Sequence, residues 1–132
     1  MKKIILDTNG YSMLLAGDTS IRDSLGEADA VFISVVVLAE LYAGFRRGNK
    51  EKENRKILKE FLTKPLVVIL NCTEETSEIF GEIKYNLKRK GTPIPINDIW
   101  IASQAIESGS ILITYDAHFK EIEGLRLWRK SG

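Results

Sequence analysis

Four short, unbroken apolar runs constrain the fold of this chain most: Ile4-Ile5-Leu6, Ala30-Val31-Phe32-Ile33, Leu66-Val67-Val68-Ile69-Leu70 and Ile111-Leu112-Ile113. A strand with one wet face alternates apolar and polar residues, whereas a strand buried on both faces reads as a continuous apolar run. Stretches of helical periodicity separate the runs, and strands alternating with helices form a parallel sheet with helices packed on it. The expected fold class is therefore α/β, a three-layer α/β/α sandwich with a mostly parallel central sheet. Leu125 to Trp128 offers a further short edge strand. There is no internal repeat, low-complexity tract or linker, so residues 1–132 are expected to form a single domain.

The segments between the runs carry helix start and stop signals. Thr19 or Ser20 is placed to cap a helix bearing Ile21 and Leu25, and Ser34 to cap one running from about Val35 to Arg46. Residues 50–63 form a charged amphipathic pattern whose inward face is Ile57, Leu58, Phe61 and Leu62, stopped by Pro65. Thr73 opens a helix with Glu74 and Glu75 at its positive end, and Lys88-Arg89-Lys90-Gly91 closes it. Thr92-Pro93-Ile94-Pro95 must be extended. Asn97 then caps an apolar helix, with Ile96 and Ile101 spaced as a hydrophobic staple, and Gly109 ends it.

Composition removes several function classes. The longest apolar runs, Val35 to Ala39 and Leu66 to Leu70, are too short to span a bilayer. Lys2 and Lys3 precede only three apolar residues before Asp7, which is not the shape of a secretory leader. The one cysteine, Cys72, permits neither an internal disulfide nor a thiolate zinc site; it reads as inert and fits a reducing cytoplasm. The net charge of +1 hides an uneven distribution. Residues 1–45 carry three basic and six acidic groups, residues 46–92 twelve and seven, and residues 93–132 four and five. A cationic middle between acidic ends suits a protein that grips a polyanion, although solvated helix faces have the same composition.

Most acids have ordinary roles, but four do not. Asp7 and Asp116 each follow an apolar strand closely, so parallel strands put them on one rim of the sheet, the rim where open α/β sheets bind ligands. Asp98 sits in the first turn of an apolar helix, and Glu40 lies between Ala39 and Leu41 in the most hydrophobic helix of the chain. Singly, each can be a turn anchor, a helix-start acid or an exposed charge. Converging, they would repel and raise one another's pKa unless a cation neutralised them. An oxygen-only ligand set favours a hard divalent ion, Mg²⁺ or Mn²⁺, over zinc, and such ions support phosphoryl transfer.

These residues also carry a resemblance. Asp7-Thr8-Asn9, Ser34 with Leu38-Ala39-Glu40-Leu41, Pro93-Ile94-Pro95-Ile96-Asn97-Asp98 with Ile101-Ala102, and Thr114-Tyr115-Asp116 with Phe119 resemble the ordered motifs of the PIN domain family. The nearest subset is the VapC-type toxin ribonucleases of toxin–antitoxin pairs. The resemblance implies a metal-dependent endoribonuclease, with Asp7, Glu40, Asp98 and Asp116 as catalytic and metal-binding acids. Its products would be 5′-phosphate and 3′-hydroxyl ends. Thr8, Asn9, Asn97 and Thr114 would orient the carboxylates. The resemblance further implies an RNA substrate, a cognate antitoxin whose tail occupies the acidic site or RNA groove, and a homodimer. Gly10 departs from the family pattern, which has an apolar residue there. It is expected to loosen the turn after Asp7 and to touch no ligand.

Other residues and readings complete the picture. Arg46 and Arg47 either contact phosphates or a partner's acids, or simply complement the C-terminal dipole of their helix. His118 reads as a surface or helix-start histidine. Lys84, Lys88, Arg89 and Lys90 read as solvated charges that favour RNA nonspecifically. Tyr11, Tyr42 and Tyr85 either stack on bases or, the preferred assignment, lie at the edge of the core, and Trp100 and Trp128 are assigned to the core. A phospho-accepting receiver-like domain would have an acid pair after its first strand and a lysine after its last, but Leu6-Asp7-Thr8 and Thr114-Tyr115-Asp116 provide neither. A haloacid-dehalogenase-type phosphatase would need an acid where Asn9 stands. A non-catalytic RNA-binding scaffold sits poorly with all four acids being present.

Overall fold

A computed structural model describes residues 1–130. The four apolar runs form the strands β1 (Lys3–Leu6), β2 (Ala30–Ser34), β3 (Val67–Leu70) and β4 (Ile111–Ile113). They make one parallel sheet in the order β3-β2-β1-β4. Six helices flank it: α1 (Thr8–Leu15), α2 (Thr19–Glu27), α3 (Val35–Arg47), α4 (Glu51–Leu62), α5 (Glu74–Lys90) and α6 (Ile96–Ser108). This is the expected α/β/α architecture. The chain builds outward from β1 through β2 to β3, then crosses back to lay β4 on the other side of β1. The rim between β1 and β4 is therefore the switch point at which such sheets hold ligands.

Register decides what meets at that rim. Leu6 pairs with Ile113, so Asp7 and Thr114, one residue further on, emerge side by side. Beneath them Ile4, Ile5, Leu6, Ile33, Leu112 and Ile113 are buried, which is why these strands read as unbroken apolar runs. Ile101, Ala102 and Ala105 of α6 join the same core. Gln104, also on α6, donates from Nε2 to the Leu70 carbonyl at 3.2 Å and so ties the helix to the end of β3.

Several local expectations are corrected. β3 is an edge strand, and its Val68 and Ile69 are 45% and 43% exposed rather than buried on both faces. A short apolar run carries no mark that separates an edge from a centre. Asp18, not Thr19 or Ser20, caps α2 by accepting from the Ile21 amide. α6 begins at Ile96 after Pro95, so Asn97 lies within the first turn instead of capping it. Ile96 is 55% exposed and forms no staple. Ile57 is likewise exposed, while Leu58 and Phe61 carry the inward face of α4. Tyr11 is fully buried, not at the core edge, and Tyr85 is 61% exposed. Trp100 and Trp128 are only partly buried; Trp100 packs on Phe80 with ring centroids 4.3 Å apart. Leu125 to Trp128 does follow β4, but through a single parallel bridge between Leu127 and Leu112. Ser34, Thr73 and Gly91 cap as their residue types suggest.

Candidate active site

Asp7 is delivered by the central strand and then used twice. It is the N-cap of α1, its Oδ1 accepting from the Gly10 amide at 2.6 Å, while its Oδ2 accepts from the Thr114 hydroxyl at 2.5 Å. It is only 4% exposed. Burial pushes its carboxyl up to about 6 despite these two bonds, and the charges of Asp98 and Asp116 add to the rise. A carboxylate held this way is costly to ionise, and a cap alone would not require it.

The other three acids reach the same cleft, which Asp7, Glu40, Asp98 and Asp116 line together with Thr8, Asn9, Asn97 and His118. Glu40 projects from the second turn of α3; its Oε1 accepts from the Thr8 hydroxyl at 2.5 Å, and the Asn97 amide approaches its Oε2 at 3.5 Å. Asp98 stands in the first turn of α6, where the helix dipole favours an acid. Burial nevertheless raises its pKa, with Glu40 and Asp116 adding to the rise and His118 opposing it. Asp116 is exposed, and its backbone N–H donates to the Thr114 hydroxyl at 2.9 Å. It opens a turn of 3-10 helix, Ala117–Glu121.

The orienting residues divide. Thr8 and Thr114 bond directly to acids, and Asn97 lies at the outer limit of doing so. Asn9 bonds to no acid of the cluster. Its Oδ1 accepts from the Tyr115 amide at 3.1 Å, which pins the segment between Thr114 and Asp116 against α1. Gly10 corrects its expectation: it bonds Asp7, and a Cβ there would sit 2.5 Å from the Ile113 carbonyl oxygen. The tight crossing of α1 over β4 demands glycine at this position. Arg46 and Arg47 are not brought to the cleft. Both are exposed on the last turn of α3, with Arg46 Nε 3.7 Å from Glu51.

His118 is the residue that sequence reasoning undervalued. Its ring stands between two acids, with Nε2 2.6 Å from Asp98 Oδ2 and Nδ1 2.9 Å from Asp116 Oδ1. Both ring nitrogens thus lie within hydrogen-bond reach of a carboxylate oxygen. The available signal was the spacing: a capping acid followed two residues later by a histidine in a tight turn returns the ring to the acid. Asp98, Asp116 and His118 each offer one ligand atom within 4.8 Å of the others. The expected all-oxygen set thus has a nitrogen beside it. Burial, with a smaller contribution from neighbouring acids, raises Asp7 and Asp98; a divalent cation offsets both costs, and the oxygen donors fit one.

A profile of the PIN domain matches residues 4–125. Ribonuclease VapC2 of Rickettsia felis is 34% identical over 109 residues, covering 80% of each chain. The tRNA(fMet)-specific endonuclease VapC of Salmonella typhimurium is 27% identical over 130 residues, covering 96% of this chain and 97% of that one. Among solved structures, a chain of VapBC2 from Rickettsia felis bound to a DNA fragment from their promoter superposes with a TM-score of 0.84 at 30% identity. The match covers 96% of this chain and 97% of that one. A chain of DNA-bound VapBC from Salmonella typhimurium superposes with a TM-score of 0.87 at 27% identity, over 97% and 98% of the two chains. The acids on the sheet rim, the fold that carries them and these relatives agree: the chain belongs to the PIN domain family, among its VapC ribonucleases.

Proposed function

We propose that this chain is a metal-dependent endoribonuclease that hydrolyses RNA phosphodiesters and acts as the toxin of a toxin–antitoxin pair. The observation that carries the reading is Asp7, a buried carboxylate raised to about 6 where the other three acids converge. Asp7, Asp98 and Asp116, with Glu40 beside them, would hold Mg²⁺ or Mn²⁺. Held there, the ion would supply Lewis-acid polarisation of the scissile phosphate and a lowered pKa of the attacking water.

The chain's own residues prepare the site. Gly10 and Thr114 fix both oxygens of Asp7, so its carboxylate needs no reordering when a cation or phosphate arrives. Thr8 fixes one oxygen of Glu40 and leaves the other with capacity to accept a hydrogen bond in the cleft. His118 holds Asp98 and Asp116 in register across the cleft. No lysine is among the residues lining that cleft, which disfavours a phospho-accepting role. The reading includes a single domain, a homodimer, a cognate antitoxin and a cytoplasmic setting. Among the described residues no helix is long and apolar enough to cross a membrane.

The test is direct. Partner-free protein should cut RNA with Mg²⁺ or Mn²⁺ and stop on addition of a chelator, and Asp7→Asn should lose cleavage while keeping its circular dichroism. Wild-type cleavage rates from Asp7→Asn would show that the site is assigned wrongly.

A further inference from the structure

The cleft does not end at Asp116. A second groove shares that residue and continues over Tyr115 and Trp128 to Lys120, Arg129 and Lys130. Two aromatic rings meet there at a right angle, Tyr115 edge-on to Trp128 with centroids 5.5 Å apart and planes at 84°. Both rings are fixed through their polar ends. The Tyr115 hydroxyl donates to Asp18, and the Trp128 indole N–H donates to Ser24 Oγ at 2.9 Å, so α2 and its cap hold the corner in place. Tyr115 is 39% exposed, although an aromatic ring serving only the core would be covered.

The charges follow the same line. Lys120, Arg129 and Lys130 are exposed, and among the described residues none forms an ion pair. Lys130 Nζ lies 5.5 Å from the Tyr115 ring centroid, within the outer field of Asp18. A preorganised aromatic corner with cations at its edge is the chemistry that takes single-stranded nucleic acid, with bases on the π-faces and phosphates on the cations. The groove along α4, bearing Lys50, Lys52, Arg55, Lys56 and Lys59, is more cationic but shares no residue with the cleft. Continuity with the reacting centre favours the first.

We propose that the Tyr115–Trp128 corner, with Lys120, Arg129 and Lys130, is a subsite for the single-stranded RNA adjoining the cleaved phosphate. It rests on the ribonuclease reading and adds where the strand leaves the acids. A nucleotide next to the scissile phosphate passes Asp116, stacks its base in the corner and sets its following phosphates against the three cations.

The experiment measures binding in chelator, where no cutting occurs. A labelled single-stranded RNA 20-mer pool is titrated by anisotropy against wild type, against Lys120→Ala/Arg129→Ala/Lys130→Ala, and against an equal-charge control on α5, Lys84→Ala/Lys88→Ala/Arg89→Ala. Each single-strand phosphate contact contributes a salt slope of about 0.7, so three contribute about 2. Between 50 and 200 mM salt, wild type should therefore lose about twentyfold more affinity than the groove variant. The α5 variant, whose solvated charges attract RNA only nonspecifically, should lose much less of the slope than the groove variant. In a Trp100→Phe background, where Trp128 is the remaining tryptophan, bound RNA should quench the fluorescence.

Equal slopes for wild type and groove variant, equal losses in both triple variants, or RNA binding without quenching would each overturn the subsite. So would a groove variant that binds RNA as wild type does but loses its antitoxin. If wild-type protein with Mn²⁺ cuts no RNA from a total cellular preparation, the ribonuclease reading itself fails. If it cuts while the groove variant keeps the wild-type slope, only the subsite does.

Discussion

Asp7→Asn should stabilise the metal-free protein even as it removes activity. The carboxyl of Asp7 sits at about 6 against an ordinary 3.8. Two pKa units correspond to about 3 kcal/mol of stability withheld from the folded state at pH 8. The sign follows from proton binding. The folded pKa is the higher one, so the folded state holds the proton more tightly than the unfolded chain. This group therefore costs nothing below about pH 4, grows costly as the pH rises through about 6, and reaches its full cost above about 7.

Asparagine cannot ionise and keeps the shape. Its Oδ1 can still accept from Gly10, and its amide can donate to the Thr114 oxygen, at a loss of about 1 kcal/mol from the charge-assisted bonds. The net gain at pH 8 is then about 1–3 kcal/mol, or roughly 3–10 °C in Tm for a chain of this length. Urea titrations of both proteins in chelator at pH 8, 6 and 4.5 measure it, and the gain should change little from pH 8 to 6 and fall away mostly between pH 6 and 4.5. Saturating Mn²⁺ should restore wild type, since a ligand at a hundredfold its Kd adds about 2.7 kcal/mol to the form that binds it. A variant no more stable than wild type at pH 8 in chelator would refute the argument and make Asp7 a structural cap.

Three further substitutions probe the supports of the site. Gly10→Ala drives a methyl toward the Ile113 carbonyl, from which its Cβ would lie 2.5 Å away, and should cost about 1–3 kcal/mol in urea unfolding. Thr114→Val removes the hydroxyl that Asp7 and the Asp116 amide share; it should raise the Asp7 pKa further, so that the loss of stability with rising pH still begins near pH 4 but continues to higher pH and becomes larger, read from the same pH series. Tyr11→Phe deletes a buried hydroxyl that has no hydrogen-bond partner and whose pKa burial pushes up to about 12. Thermal melts should show it neutral or stabilised by about 1 kcal/mol.

The parts of the site legible in the sequence are acids set against apolar patterns, at strand ends or on helix faces. Asp7 and Asp116 announce themselves because polar groups directly after apolar runs mark the rim of a parallel sheet. Glu40 and Asp98 do so because they interrupt apolar helix faces. For His118 the spacing signals only its contact with Asp116; its contact with Asp98 depends on a 3-10 turn swinging its ring across to a helix 20 residues away. Gly10 was misread for a related reason: what it must avoid is the backbone of β4, and only the register of β1 with β4 places it there. The exposed face of β3 was equally hidden, since strand order is a property of the whole topology and not of one apolar run.

The placement of β4 beside β1 also sets when the centre can come into being. The hydroxyl that steadies Asp7 lies 107 residues away along the chain, among the most sequence-distant contacts in the protein. Such contacts carry the largest loop-closure entropy and close late in folding. A chain growing from its N-terminus can complete β1, β2 and β3 while still lacking Thr114, Asp116 and His118. On the ribonuclease reading, nascent or truncated chains would lack part of the acidic cluster and should cut no RNA until the final strand docks.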